Sequence, residues 1–153
     1  MNLHQLIYQS RALVPFECPE LRALLQQARG FNQARGITGL LLLTPDGRFL
    51  QVLEGERAAV RDLYYHHIAL DPRHFDCHVI SEAEGAERLF EGWHMAFRPA
   101  QAVTLRTLLA PVPPPTAAAL LLPHPRTHAE LLELLLDFAA RNAPVPELED
   151  TCR

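Results

Sequence analysis

Gly36-Ile37-Thr38-Gly39-Leu40-Leu41-Leu42-Leu43-Thr44-Pro45-Asp46-Gly47-Arg48-Phe49-Leu50-Gln51-Val52-Leu53-Glu54-Gly55 is the stretch on which the fold turns. Residues 37–44 form a short apolar strand and residues 48–53 a returning one. Between them Thr44-Pro45-Asp46-Gly47 is a turn, with Asp-Gly as its sharpest signal, so the stretch reads as a hairpin. Gln51 is out of place in it. On the strand period it shares a face with Phe49 and Leu53. A primary amide brings donors and acceptors with it, and burying them costs free energy unless they are partnered.

Working outward, residues 3–10 read as a strand with Leu6, Tyr8 and Ser10 on one face. Residues 19–32 read as a helix: Pro19 suits its first position, Glu20 its first turn, and Leu21, Leu24, Leu25, Ala28 and Asn32 share a stripe. Beyond the hairpin, residues 56–69 form a second helix with the stripe Val60, Leu63, Tyr64, His67 and Ile68, stopped by Pro72. Residues 76–82 and 92–98 are candidate strands, Trp93 and Met95 sharing a face of the last. The order is that of an α+β, ferredoxin-like βαββαββ sheet with two helices on one face. The cleft between those helices is the natural ligand site.

After residue 98 the composition shifts. A short helix at 100–109, a Pro-rich connection over 111–125 enclosing an apolar run at 116–122, and a capped helix make up a C-terminal helical extension. Thr127-His128-Ala129-Glu130 is a capping box. The helix after it carries Leu131, Leu134, Leu135 and Phe138, with Leu132 and Leu136 beside them, a wider stripe than a surface helix needs. It must be covered by the free face of the sheet or by a second copy, so a homo-oligomer is expected. We divide the chain into a binding domain, 1–98, and an extension, 99–153.

Composition sets outer bounds. At 153 residues with 48% hydrophobic and 21% charged side chains, the chain can bury a core. A net charge of −4 argues against a nucleic-acid partner. All 14 basic residues are Arg, which excludes a Schiff-base lysine or a Lys-bearing phosphate loop. Cys18, Cys77 and Cys152 match no zinc or redox spacing, so reduced thiols are expected. No apolar run approaches the roughly 18 residues of a membrane span, and no signal-peptide pattern opens the chain. A soluble, cytoplasmic protein is expected.

Taken singly, the polar residues of the core have ordinary explanations. Tyr8 could be a core tyrosine with a wet hydroxyl, Asn32 a helix C-terminal residue, and Arg73 and His74 solvated groups past a helix end. Trp93 and Met95 could be plain core. Together they describe a pocket for a flat ligand with apolar faces and a polar edge. Tyr8 and Gln51 fall on neighbouring central strands in this topology, which brings the phenol within reach of the amide.

The same set resembles the BLUF family, blue-light sensors that use a flavin, over about residues 3–98. The resemblance rests on the N-terminal Tyr8, Asn32 ahead of Gly36-Ile37-Thr38-Gly39, the Phe49-Leu50-Gln51-Val52-Leu53-Glu54-Gly55 strand, Asp71-Pro72-Arg73-His74, and Trp93-His94-Met95. It implies a cofactor, FAD, with FMN or riboflavin as alternatives. It also implies roles: Leu24 and Ile68 as apolar clamps, Asn32 on the pyrimidine edge of the ring, Arg73 and His74 near that edge and the ribityl side. Gln51 lies between flavin and Tyr8, Ser10 is nearby, and Trp93 and Met95 compete for the place beside Gln51. In the family mechanism the excited flavin takes an electron from tyrosine, a proton moves through the glutamine, and the glutamine ends rotated or tautomerised. The flavin ends red-shifted and chemically unchanged. Phe31, where many relatives are polar, and Ala28, where some carry serine, depart from the pattern. Signal then passes to a separate protein or through self-association; some 50 C-terminal residues are too few for a cyclase or phosphodiesterase domain, so no enzyme is expected. The main alternative is a flavin-free ferredoxin-like interaction module. A metal site among His66, His67, His74 and His78 lacks compact ligand spacing, and an RNA-binding module lacks strand aromatics with basic neighbours.

Overall fold

The computed structural model describes residues 3–14, 16–85, 87–110 and 126–142. Among these residues ten elements follow one another: β1 (Leu3–Ala12), α1 (Cys18–Arg35), β2 (Thr38–Leu43), β3 (Arg48–Glu56), α2 (Arg57–Asp62) with a π-helical continuation (Leu63–Ile68), β4 (His74–Gly85), β5 (Ala96–Pro99), α3 (Ala102–Leu109) and α4 (His128–Arg141). The strands form one sheet in the order β4-β1-β3-β2-β5. All neighbours are antiparallel except β2 and β5. This is the α+β ferredoxin-like arrangement with an added strand.

Local chemistry explains the hairpin and its approach. α1 ends at Gly36, whose left-handed backbone (φ 67°) lets its N–H cap the last turn. At Gly39 a side chain would meet the Val52 carbonyl oxygen at 2.0 Å, so β2 and β3 close up only because this position is bare. The register then sets Gln5 against Glu54, Tyr8 against Gln51, and Thr38 against Glu54.

The sheet has two buried faces. Leu6, Tyr8, Leu41, Phe49 and Leu53 pack with Leu21 and Leu25 of α1, Val60 of α2, and Leu63 and Tyr64 of the π segment. Ile7, Leu40, Leu42, Leu50 and Val52 pack on the other side with Leu105 and Leu108 of α3 and Leu131, Leu132, Leu135 and Ala139 of α4. At about 1.5–3 kcal/mol per fully buried side chain, the three α4 leucines are a large share of the stability of any domain this size. The capping box is present: Glu130 N–H donates to the Thr127 hydroxyl at 3.2 Å.

Several expectations change. The last strand begins at Ala96 and not at residue 92, because a turn through Gly92 (φ 81°), closed by Trp93 N–H to Phe90 O at 2.9 Å, holds the chain off the ladder. Trp93 and Met95 therefore do not share a strand face. The second helix is not a plain α-helix but changes to π geometry at Leu63. In α4 the buried positions are Leu131, Leu132, Leu135 and Ala139; Leu134 and Phe138 sit at the margin. Its stripe is covered by the chain's own sheet, which removes the reason given for a second copy. Cys77 is a free thiol, and Cys152 lies outside the described residues. The apolar run at 116–122 lies outside the described residues.

Candidate functional site

A cavity of about 190 Å³ opens between α1 and the π segment, above the sheet. Leu24, Ala28 and Phe31 line it from α1, Leu63 and Ile68 from the opposite wall, and Leu41 and Phe49 from the sheet. Polar groups reach it at Tyr8, Gln27, Asn32, Gln51, Asp71, Arg73 and His74. An apolar slot with a polar border fits a flat, polar-edged ligand.

At its floor, Tyr8 and Gln51 are cross-strand partners and 4% and 6% exposed. The Tyr8 hydroxyl donates to Gln51 Oε1, and Gln51 Nε2 donates to Met95 Sδ at 3.0 Å. The amide thus points oxygen to the phenol and nitrogen to the thioether, a weak acceptor. Burial pushes the Tyr8 pKa well above its ordinary value, with Cys77, Tyr64 and Asp71 adding to it, so the phenol is held protonated. The Tyr64 ring lies 4.9 Å from it, and burial raises that phenol to about 12.

The remaining predicted residues divide. Asn32, 1% exposed, donates from Nδ2 to His94 O at 2.7 Å, which leaves Oδ1 as the acceptor for a ligand. Leu24 and Ile68 both line the slot, one from α1 and one from the π segment. Arg73 Nε donates to Asp71 Oδ1 and Oδ2 at 2.9 and 3.0 Å; this pairing holds the Asp71 carboxyl below the usual range. His74 lines the cavity while its Nδ1 meets Ser10 Oγ at 3.0 Å and its Nε2 the Ile68 carbonyl. Ser10 itself does not line the cavity; it bonds His74, which does. Trp93 is also outside: its ring is 37% exposed, 6.1 Å from Phe90, with the Arg98 guanidinium 5.3 Å away. Met95 holds the inner place.

Sequence reasoning passed over Gln27, Asp71 and Arg29. Gln27 falls one turn after Leu24, a signal present in the helical period. Arg29, whose Nε donates to Met95 O at 3.0 Å, gave no signal, because its partner is a backbone atom distant in sequence. Of the four histidines of the rejected metal reading, His66 and His67 share Asp62, whereas His74 pairs with Ser10 and His78 with Gln9. Among the described residues no group of three His, Cys, Asp or Glu could hold a metal, and no helix is long and apolar enough to cross a membrane.

The family model described as BLUF, sensors of blue-light using FAD, matches residues 3–96. The chain belongs to this family. A photoactivated adenylate cyclase subunit beta of Euglena gracilis is 39% identical over 89 residues, which is 58% of this chain and 10% of that protein. This BLUF chain thus spans about a tenth of the length of the curated relatives it matches. The ground-state structure of BlsA is 27% identical, with a TM-score of 0.67 over 100% of both chains. Klebsiella pneumoniae BlrP1, solved with FMN and cyclic diGMP, is 36% identical with a TM-score of 0.58, over 63% of this chain and 26% of that one. The cofactor of the BLUF fold is therefore a flavin, FAD by family. The cavity fits it: its walls are apolar, and the free Asn32 Oδ1 and the Gln51 amide are the acceptor and donor set that a flavin edge requires.

Proposed function

We propose that this chain senses blue light by rearranging the hydrogen bonds of Gln51 and passes the change to a separate protein. The observation that carries this is the directed pair from Tyr8 Oη to Gln51 Oε1 and from Gln51 Nε2 to Met95 Sδ. Leu24, Ile68, Asn32, Gln51, Arg73 and His74 would hold the flavin. When bound, the flavin supplies absorption of blue light and, once excited, a strong electron acceptor.

Tyr8 holds a proton at Oη that its raised pKa keeps in place in the dark. Oxidation makes a phenol strongly acidic, and Gln51 Oε1 is already its hydrogen-bond acceptor. Turning the Gln51 amide over brings Nε2 toward Tyr8 and Oε1 toward Met95. An oxygen facing a thioether sulfur makes no hydrogen bond, so Met95 loses its partner in one amide arrangement and keeps it in the other. These are the differential contacts that a two-state signal requires. The rearrangement of Tyr8 and Gln51 turns over no substrate, so we read the chain as a receptor and not as an enzyme. Residues 1–98 act as the flavin-binding unit and residues 99–153 as the output extension of a soluble, cytoplasmic protein. Self-association draws no support from α4, which is covered within the chain.

The test is an absorption spectrum of the purified protein before and after blue light. Oxidised-flavin bands that denaturation releases, with a small reversible red shift, are expected. A colourless protein that neither FAD nor FMN reconstitutes would instead establish the flavin-free interaction module.

A further inference from the structure

Glu54 is fully buried on the sheet face opposite the cavity, at the end of the strand that carries Gln51. A buried carboxylate is strongly unfavourable unless its oxygens are satisfied. Here four donors converge on it. Oε1 accepts from Phe90 N–H at 2.7 Å and from Thr38 Oγ1 at 2.9 Å; Oε2 accepts from Leu89 N–H at 3.0 Å and from Gln5 Nε2 at 3.3 Å. The two amides belong to the segment that runs on to Trp93 and Met95. Phe90 packs on the α4 side of the sheet and Met95 on the cavity side, so this segment wraps the sheet edge and touches both cores.

The bonds continue in the other direction. Gln5 Oε1 accepts from His128 Nε2 at 3.2 Å, and His128 Nδ1 meets Ser81 Oγ at 2.5 Å. His128 is the first residue of α4. Each orientation is dictated by the next. The carboxylate can only accept, so Gln5 must offer it Nε2 and turn Oε1 to His128; His128 must then carry its proton on Nε2 and accept from Ser81. A neutral imidazole does both, and burial together with His4 shifts His128 toward that form. The Glu54 clamp sits beside a segment fixed at its far end by the Asn32 and Arg29 bonds to the His94 and Met95 carbonyls.

We propose that Glu54, Gln5 and His128 form a polar relay that couples the Leu89–Met95 segment to the first turn of α4. Glu54 and Gln5 are positioning residues in it. The relay extends the proposed function, because release of Met95 would reach α4 through the Leu89 and Phe90 amides.

The experiment uses the full chain loaded with FAD and its Gln5→Met and His128→Phe variants. Neither residue lines the cavity, so the red shift should match that of the unaltered protein. Hydrogen exchange in the dark should rise at least about twofold at Leu89 and Phe90 in both variants, the low end of coupling within one network. Exchange at Leu40 and Leu42 should stay fixed, which separates this effect from general loosening. Under blue light, the light-minus-dark difference at Leu131 and Leu132 should be present in the unaltered protein and fall by at least about half in the variants. Unchanged dark exchange at Leu89 and Phe90 overturns the relay, as does an α4 light response equal to the unaltered protein's. A red shift in the unaltered protein with no α4 response overturns the relay and leaves the proposed function standing. Loss of the red shift in the unaltered protein removes the proposed function, and the dark exchange still decides the relay. Should His128→Phe fail to fold, Gln5→Met decides alone.

Discussion

Replacing Tyr8 by Phe separates the light response from the fold. The ring survives, and with it the contact to Tyr64 at 4.9 Å; only the hydroxyl is lost. What remains is Gln51 Oε1 without its donor in a site 6% exposed. A buried unsatisfied acceptor costs about 1–3 kcal/mol, and the adjoining cavity admits a replacement donor, which favours the lower half. A loss of about 1–2 kcal/mol in urea unfolding, or about 2–8 °C in Tm, is expected. A second arm of the assay is alkaline. The folded Tyr8 pKa lies above its unfolded value, so the folded state binds the proton more tightly. Its contribution is complete below about pH 10 and is lost as pH rises toward the folded pKa. Tyr64 behaves alike, with its folded value about 12. Tyr8→Phe should therefore flatten the decline of stability above about pH 10 without abolishing it. The variant should bind FAD and show no red shift under blue light. A red shift of full amplitude refutes the role given to Tyr8, and a loss above about 4 kcal/mol shows that the hydroxyl serves the fold instead.

Met95→Leu keeps the volume and removes the sulfur acceptor of Gln51; stability should change by less than about 1.5 kcal/mol while the dark absorption maximum and the recovery time both move, read by spectroscopy. Trp93→Ala should leave FAD affinity unchanged in titration, because the ring lies outside the cavity. Leu135→Ala, in the core between sheet and α4, should lower unfolding free energy by about 2–5 kcal/mol and leave the flavin spectrum in place.

The fold was legible wherever period and punctuation agreed. The Asp46-Gly47 turn, the α1 stripe and the Thr127-Glu130 capping box are local signals, and the elements stand where those signals put them. Tyr8 and Gln51 were legible because strand order alone makes them neighbours. The reading failed at residues 92–95, where an apolar alternation suggested strand. Three contacts outside that stretch decide the matter: the Phe90 carbonyl, the Gly39 amide on the Trp93 carbonyl at 2.8 Å, and the Asn32 side chain on His94. Tertiary bonds of that kind leave no local pattern. Glu54 was quoted within its strand and given no role, because its four donors come from three separate parts of the chain.

The π segment has a consequence for tolerated length. Ala69 N–H reaches back five residues to Tyr64 O at 2.8 Å, so this turn holds one residue more than an α-helical turn would. That surplus places Leu63 and Ile68 on the same cavity wall. In a regular helix at about 3.6 residues per turn, the two would point well apart. Losing a single residue between them would return the turn to α-helical winding with the two at i and i+4, still on one face, whereas winding the present number of residues as a regular helix would swing Ile68 off the wall. The slot therefore tolerates a turn shorter by one residue, but not a regular helix of the present length.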